Sequence, residues 1–239
     1  MVRLIRVADA DEAGRVVADE VGRLVAGSRA AVLGVATGAS PRTAYAEICR
    51  RVAAGDMDVS RLSLAMLDEY VGLPQGHPES FHVYVRSLVA DPCGIPDDRI
   101  VGPRAEGGPD AVAEFASALR ALGTVDLQIC GVGRNGHVGF NEPGSPADGE
   151  CCEVELAEST RRDAVSAFGS LDRVPRRAIT QGIATMRRAR HLLVLAFGGA
   201  KADAVAGLLS GPASSDRPVS LLRDHPALSL VADDAALRA

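Results

Sequence analysis

Five short apolar runs alternate with segments of helical periodicity, and this alternation constrains the fold more than any other feature of the sequence. A short apolar run that ends in glycine or polar residues is typical of a strand buried on both faces of a sheet. We therefore predict five strands, in the runs "AAVLGVA" (30–36), "LSLAML" (62–67), "VDLQICGVG" (125–133), "HLLVLAFG" (191–198) and "ALSLVAD" (227–233).

The segments between these runs repeat their apolar residues at helical spacing. In residues 8–27, Val17, Val21 and Leu24 recur every three or four positions, and Gly27 marks the predicted end. Strands that alternate with amphipathic helices predict an α/β fold, in which a mostly parallel sheet carries helices on both faces. We expect a single domain over residues 1–239, with a polar surface loop at 102–110. The predicted helices cover 8–27, 41–54, 79–90, 159–169, 175–188 and 201–211.

Composition excludes several classes of protein. A chain of 239 residues that is 47% hydrophobic can bury a full core without disulfides. Its net charge of -5 argues against a nucleic-acid or anionic-membrane partner. No apolar stretch reaches the roughly 18 residues of a membrane span, and the N-terminal segment, with early acidic residues, does not resemble a signal peptide.

The cysteines predict the redox environment. The chain has 5 cysteines and no CxxC spacing, so we expect reduced thiols and a cytoplasmic location. Cys151 and Cys152 are adjacent, which could indicate a metal or redox pair. Since no nearby histidine completes a ligand set, we predict instead that they are two small side chains at a strand edge, with no metal site.

Reactive side chains follow four of the predicted strands. In open α/β sheets, ligands bind beyond the carboxyl ends of the strands, so these side chains are expected on one rim. The first motif, "GVATGASP", ends a strand and opens a helix. Backbone N–H groups there can bind an anion, with hydroxyl donors from Thr37 and Ser40 and a sharp turn at Gly38. The alternative is an ordinary turn in which Ser40 caps the helix.

The second and fourth motifs each offer one ionisable side chain. Asp68, in "LDEYVGLPQGHPES", can be a proton-abstracting base or can cap a turn. Lys201, in "FGGAKADAV", stands at a helix start, where it can hold an anion or remain solvated.

The third motif, "GVGRNGHVGFNEPGS" (131–145), places His137 five residues before Glu142 among several glycines. A carboxylate near an imidazole orients it and tunes its pKa close to neutral pH. A purely structural histidine would not need such permissive backbone, whereas Gly136 and its neighbours let the chain turn sharply close to a ligand.

The motifs together resemble one family. "LDEYVGLPQGHPES", "GVGRNGHVGFNEPGS" and "VPRRAITQGIATM" closely resemble the glucosamine-6-phosphate deaminases, also called isomerases, and "GVATGASP" and "FGGAKADAV" fit more loosely. The matches follow the family's order, span nearly the whole chain and suit its short bacterial members. The resemblance implies a Rossmann-like fold and an enzyme that needs no cofactor or metal. Such an enzyme converts glucosamine 6-phosphate to fructose 6-phosphate and ammonia by ring opening and aldose–ketose isomerisation.

The resemblance also implies roles for individual residues. Asp68 would move the C2 proton, and His137 would be the acid/base for ring opening, held and tuned by Glu142 and Asn135. Many members have Asp where this chain has Asn135, and Asn adds no negative charge, so we expect His137 to depend on Glu142 for electrostatic support. The implied substrate-binding residues are Thr37, Gly38, Ser40, Arg42, Gly136 and Lys201.

One segment departs from the family pattern. Cys151 and Cys152 stand where basic residues that grip the 6-phosphate are expected, among several acidic residues, and Ser166 stands where a further Arg is expected. Either this segment is a surface strand and the phosphate is held by Ser40, Lys201 and Arg42, with Arg161 and Arg162 as further candidates, or the substrate is another amino sugar, without the phosphate or with a cationic group in its place.

Three other functions remain open from the sequence. They are the same chemistry on a different or unphosphorylated amino sugar, hydrolysis of a sugar-phosphate lactone, and sugar binding by a regulator without turnover. The retained Asp68, His137 and Glu142 count against the regulator. The sequence leaves open whether the protein is a monomer or a homo-oligomer.

Overall fold

Ten β-strands form two sheets in the part of the chain that the computed structural model describes, residues 2–28 and 30–238. Met1, Arg29 and Ala239, which belong to the predicted domain, lie outside these ranges. The strands are β1 (Arg3–Val7), β2 (Val32–Val35), β3 (Ser63–Met66), β4 (Asp68–Tyr70), β5 (Ile100–Val101), β6 (Leu127–Gly131), β7 (Cys152–Glu155), β8 (Arg177–Thr180), β9 (His191–Ala196) and β10 (Leu228–Asp233).

Helices connect most of these strands. A π-helical segment, Arg86–Ala90, joins α3 to α4 in one helical stretch, and a 3₁₀ turn, Gly199–Lys201, leads into α9. No helix within the described ranges is both long and apolar enough to cross a bilayer. The helices are α1 (Ala10–Gly27), α2 (Arg42–Ala53), α3 (Phe81–Val85), α4 (Asp91–Cys93), α5 (Gly108–Leu122), α6 (Glu158–Asp163), α7 (Val165–Phe168), α8 (Ile183–Met186) and α9 (Ala202–Leu209).

The larger sheet has the order β1-β10-β9-β6-β2-β3-β5, and all its pairings are parallel. All five predicted strands lie in this sheet, as β2, β3, β6, β9 and β10, which confirms the mostly parallel sheet. The two strands that the sequence did not predict, β1 and β5, are its edges. Edge strands are covered less completely: β1 (RLIRV) contains two arginines and is mostly exposed, and β5 has only two residues, so neither shows the long apolar run of a buried strand.

Helices cover both faces of this sheet, as predicted. On one face, Leu33 and Val35 of β2 belong to the same core as Val17 of α1 and Ile48 of α2. On the other face, Val32 of β2 packs with Phe115 and Leu119 of α5, in a separate cluster. The sheet therefore lies between two helical layers, which buries it on both sides and explains the unbroken apolar runs.

The smaller sheet is antiparallel, with the order β4-β8-β7. Residues 175–188 were predicted as one helix, and this prediction is wrong: they form β8, a turn and the short helix α8. Ala178 and Ile179 are fully buried. Because β8 pairs on both sides with strands distant in sequence, long-range hydrogen bonding overrides the local preference for a helix.

Two other helical predictions need correction. The predicted helix 159–169 is divided at Ala164 into α6 and α7. Helix α5 was not predicted, although Ala111, Phe115 and Leu119 recur every four residues and form its buried face. The predicted loop 102–110 is accordingly shorter, because α5 begins at Gly108.

Candidate active site

The four motifs end adjacent strands of the larger sheet. In the order β9-β6-β2-β3, Lys201 follows β9, His137 follows β6, residues 37–40 follow β2, and Asp68 follows β3. We expected Asp68 and His137 at neighbouring strand ends, but β2 lies between their strands. The turn at 37–40 therefore lies between the two groups along the rim, at the edge where open parallel sheets bind ligands.

The loop after β6 nevertheless reaches Asp68. Gly139 has a positive φ of 55°. A Cβ there would lie 3.3 Å from Asp68 Oδ2 and 3.0 Å from Thr180 Oγ1. A Cβ at Gly133 would lie 2.2 Å from Cε1 of the His137 ring. Both glycines are required because side chains of the site pack directly against the backbone.

Gly136 has a different explanation. Its φ is 86°, and a Cβ there would lie 3.2 Å from Cα of Arg217. Its carbonyl accepts a hydrogen bond of 2.9 Å from the N–H of Val219. Packing against segment 217–219 thus accounts for this glycine without a ligand, and its predicted contact with substrate remains a prediction.

Asn135 connects His137 to Glu142. Its Nδ2 donates to Glu142 Oε2 at 2.9 Å, and its Oδ1 lies 2.7 Å from His137 Nδ1. A carboxylate only accepts, so the amide nitrogen must face Glu142 and the amide oxygen must face the ring. Oδ1 can then only accept, so Nδ1 carries the hydrogen. The bridge selects the tautomer of neutral His137 in which Nε2 has a free lone pair.

Glu142 acts on His137 mainly through this amide. Its Oε2 is 3.8 Å from His137 Nδ1, beyond hydrogen-bond distance, and its Oε1 accepts from the N–H of Ala157 at 3.2 Å. The pKa of His137 is lowered by burial, partly offset by Glu142, and lowered further by Lys201. The imidazole is therefore neutral near pH 7 and able to take a proton at Nε2.

Asp68 and Glu69 have opposite environments. Glu69 accepts from the N–H groups of Tyr70, Phe81 and His82 and from the Ser80 hydroxyl, at 2.6–3.0 Å. Glu69 is thus the carboxylate that caps a helix start, namely α3. No donor among the described residues reaches the Asp68 carboxylate, and burial, followed by the charge of Glu69, raises its pKa well above its ordinary value. Of the two roles considered for Asp68, the capping role is taken by its neighbour.

The side chain of Tyr84 supports the turn after β2, residues 37–40. Tyr84 donates to the carbonyl of Gly38 at 2.6 Å, and the guanidinium of Arg42 lies 5.3 Å from the centre of the Tyr84 ring. We considered Ser40 as the helix cap. Helix α2 instead begins at Arg42 after Pro41, and no side-chain capping bond is found there within the described ranges. The N–H of Arg42 donates to the carbonyl of Ala39, which leaves the Ser40 hydroxyl and the N–H groups of Thr43 and Ala44 able to bind an anion.

Arg134 was missed by the sequence analysis. It forms an ion pair with Asp163 and lies close enough to Lys201 to lower the pKa of that amine, after the larger effect of burial. Arg134 and His137 line a cavity of about 340 Å³ together with residues of helix α6. The only sequence signal for Arg134 was its position inside the glycine-rich motif 131–145. The lining residues are Arg134, Asn135, His137, Ser159, Thr160, Arg162 and Asp163.

The acidic segment forms the outer strand of the smaller sheet. Cys152 is aligned with Asp68 across the intervening β8, so two strand spacings of about 4.8 Å separate their backbones. Two carboxylates of the acidic segment are paired with arginines: Glu153 with Arg177, and Glu150 with Arg188. This agrees with the interpretation of the segment as a surface strand.

Two candidate replacements for the missing basic residues are engaged elsewhere. Arg161 donates to the carbonyls of Leu171 and Val174, so it ties α6 to the following chain. Arg162 is exposed and pairs with Glu158. Ser166, where a further Arg was expected, is exposed on α7. Arg42 and Lys201 remain candidates. Arg134 is itself paired with Asp163, but it lies near Lys201 and therefore joins them.

Comparisons with known proteins show which family the chain belongs to. The sequence model for glucosamine-6-phosphate isomerases/6-phosphogluconolactonase matches residues 7–230. A glucosamine-6-phosphate deaminase of Streptomyces avermitilis is 42% identical over 98% of this chain and 91% of its own length. A second deaminase, of Pseudarthrobacter chlorophenolicus, is 42% identical over 95% of this chain and 88% of its own length.

Solved structures also show similarity to a glucosamine-6-phosphate deaminase. A monomeric glucosamine-6-phosphate deaminase superposes with a TM-score of 0.95 and 31% identity, covering 99% of this chain and all (100%) of that one. A 6-phosphogluconolactonase from Trypanosoma brucei superposes with a TM-score of 0.79 but only 19% identity, over 99% of this chain and 97% of that one, so this likeness is one of fold. The resemblance inferred from the motifs is confirmed, and the chain belongs to the family of glucosamine-6-phosphate isomerases and 6-phosphogluconolactonases.

Proposed function

We propose that this protein is a glucosamine-6-phosphate deaminase, which converts glucosamine 6-phosphate and water to fructose 6-phosphate and ammonia. The observation that carries the proposal is the pairing of an unbonded, buried carboxylate at Asp68 with a neutral imidazole at His137 on one rim. Isomerisation of an aldose needs both, a base at C2 and a proton carrier at the ring oxygen. The relatives named as deaminases, at up to 42% identity, support the same reaction.

Ring opening uses the tautomer that Asn135 selects. Nε2 of His137 takes the proton of the C1 hydroxyl and delivers it to the ring oxygen as the C1–O5 bond breaks. The imidazolium formed in between is stabilised by Glu142 through the amide bridge. General acid–base help of this kind is worth roughly 10²–10⁴-fold.

Isomerisation then uses Asp68. The carboxylate takes the C2 proton while the C1 carbonyl oxygen gains one, which gives an enolamine. Return of a proton to C1 gives the ketose imine, and water at C2 releases ammonia. Burial makes the Asp68 carboxylate a stronger base than a solvated one, because its charged form lacks solvation and hydrogen bonds.

In this proposal the 6-phosphate is held by the turn at 37–40 together with cations from the loops after β6 and β9. The hydroxyls of Thr37 and Ser40 and the start of α2 supply neutral donors, and Lys201 and Arg134 supply positive charge. Burial lowers the pKa of Lys201 and the nearby charge of Arg134 lowers it further, so an anion bound between the two cations would relieve their repulsion. Arg42, over Tyr84, adds charge at the edge of the turn.

An ammonia-release assay tests the function directly. Glucosamine 6-phosphate and unphosphorylated glucosamine are supplied side by side, and fructose 6-phosphate is measured in parallel. We expect release from the phosphate ester alone. Ammonia release only from the free sugar would show that the substrate is an unphosphorylated amino sugar. Acid formation from 6-phosphogluconolactone without ammonia release would show that the protein is a lactone hydrolase instead.

Removing one cation should weaken substrate binding more than chemistry. A charge-assisted hydrogen bond is worth roughly 1.5–3 kcal/mol, so Lys201→Met or Arg134→Met is expected to raise KM for glucosamine 6-phosphate about 10–100-fold. Steady-state kinetics measure the effect. Arg190→Met is the control, since Arg190 pairs with Asp126 at the opposite end of β9. An unchanged KM in both variants would remove these cations from the phosphate site.

A methyl group at Gly133 should displace the imidazole. The added Cβ of Gly133→Ala would overlap the His137 ring, so the ring must leave its bond to Asn135 and kcat is expected to fall at least about tenfold. Gly131→Ala is the matched control, because a Cβ there meets nothing within 4 Å. Equal kcat values for the two variants would show that the ring position does not matter.

The pH dependence reports the amide bridge. Since the pKa of His137 is lowered, kcat/KM should lose His137-dependent activity only below the ordinary imidazole pKa of about 6.5, where the ring becomes protonated. Asn135→Asp adds a negative charge beside Nδ1, favours the imidazolium and should move this limb to higher pH. If the acidic limb of kcat/KM stays at the same pH in Asn135→Asp, the limb does not report the protonation of His137.

A further inference from the structure

Two thiols lie in contact away from the candidate active site. The Sγ atoms of Cys49 and Cys93 are 3.2 Å apart, although 44 positions separate them in sequence. Both are free thiols in this structure. Neither is used by the proposed reaction.

The pair bridges two elements that support the turn at 37–40. Cys49 lies on α2, which begins directly after that turn, and Cys93 ends α4. The helical stretch from α3 to α4 also carries Tyr84, which donates to the Gly38 carbonyl, and Leu88, whose carbonyl lies 3.4 Å from Cys49 Sγ. A covalent bond between the thiols would join these two supports.

The two thiols differ in accessibility and acidity. Cys49 is half-buried and Cys93 is buried. The hydrogen bond with Cys93 lowers the pKa of Cys49, and the same bond raises that of Cys93. Burial raises the pKa of the other three cysteines, Cys130, Cys151 and Cys152. Cys49 is therefore the most reactive nucleophile of the five, and it has a resolving thiol in contact.

We propose that Cys49 and Cys93 form a reversible intramolecular disulfide when the protein meets a hydroperoxide. The Cys49 thiolate attacks one peroxide oxygen, the O–O bond breaks, and the sulfur becomes a sulfenic acid as one water leaves. Cys93 then attacks that sulfur, the S–O bond breaks, and a second water leaves. Two thiols and one hydrogen peroxide thus yield one disulfide and two waters, and an external dithiol reverses the change.

The bond should stabilise the fold. It closes a loop of about 44 residues in the unfolded chain and so reduces the entropy gained on unfolding, which predicts a rise in Tm of roughly 5–15 °C for the oxidised protein. The reduced Cys49→Ser variant should deaminate like the reduced wild type, because Leu88 and Cys93, the hydrogen-bond partners of the Cys49 thiol, take no part in the proposed reaction.

Tryptic mapping of the full-length protein tests the proposal. Stoichiometric hydrogen peroxide should link peptide 43–50, which contains Cys49, to peptide 87–99, which contains Cys93, and dithiothreitol should separate them. Cys93→Ser should abolish the link and leave a sulfenic acid at Cys49 that dimedone traps. Cys152→Ser is the control and should link as the wild type does.

Two results would overturn the proposal. One is peroxide modification of peptide 135–161, which contains Cys151 and Cys152, before any link between the first two peptides appears. The other is conversion of Cys49 to a sulfinic acid in the wild type while Cys93 remains a free thiol.

Discussion

Replacing Asp68 with Asn is expected to slow ammonia release from glucosamine 6-phosphate by about 10²–10⁴-fold, the usual contribution of a general base. The amide has nearly the same shape but cannot take the C2 proton. Exchange of the C2 hydrogen with deuterated solvent, followed by NMR, isolates this step. Wild-type exchange in the variant would remove Asp68 from the role of base.

The same variant should be more stable than the wild type. Because the folded pKa of Asp68 is raised, the stability that this group contributes is complete below the ordinary carboxyl pKa and is lost as pH rises through the folded value. At pH 7 the wild type bears that loss and the Asn variant does not, so Tm should rise. Rising Tm with falling activity is the pattern of a residue kept for function.

Glu69→Gln is the matched control for this pair of effects. Glu69 accepts three hydrogen bonds from the start of α3 and a fourth from the N–H of Tyr70, and an amide can accept them only at its oxygen. This variant should lower Tm while the C2 exchange rate falls far less than in Asp68→Asn. Equal losses of exchange in both variants would indicate disruption of the strand β4 that they share.

His137→Gln should slow the cyclic substrate by about 10²–10⁴-fold and an open-chain analogue much less. The glutamine amide can keep the bond to Asn135, but it cannot carry a proton from the C1 hydroxyl to the ring oxygen. A substrate analogue without the O5 hydroxyl cannot close the pyranose ring and so bypasses this step. Comparing kcat/KM for both substrates measures the difference.

Equal losses on the two substrates would contradict ring opening as the role of His137. A loss confined to KM would instead indicate that the imidazole only binds the sugar. The Gly133→Ala variant provides an independent check, since it leaves the imidazole in place chemically but moves it from its position.

The centre of the fold could be predicted from sequence because its signals are local. The five predicted strands are the buried strands of the larger sheet, and burial on both faces demands an unbroken apolar run. The rim motifs followed from these strands, since the carboxyl ends of parallel strands share one edge. The sequence could therefore place Asp68, His137, Asn135 and Glu142 on the rim as candidates, and their catalytic roles remain predictions.

The predictions that were wrong or missing concern residues whose structure depends on contacts with segments distant in sequence. Residues 177–180 have a helical local pattern, yet they form a strand because β4 and β7 pair on either side. The proximity of Arg134 to Lys201 and the contact between Cys49 and Cys93 likewise join segments far apart in the chain. No local periodicity encodes such contacts.

The different roles of Asp68 and Glu69 show most clearly what the sequence determined and what only the tertiary structure decided. The sequence by itself determined the parallel sheet, the rim and the residue types on it, because hydrophobic periodicity and glycine positions act over a few residues. Only the tertiary structure decided which carboxylate caps α3 and which stays unbonded, and that Asn135 fixes the tautomer of His137. These outcomes depend on hydrogen bonds of about 3 Å, and the packed chain sets which donors come that close.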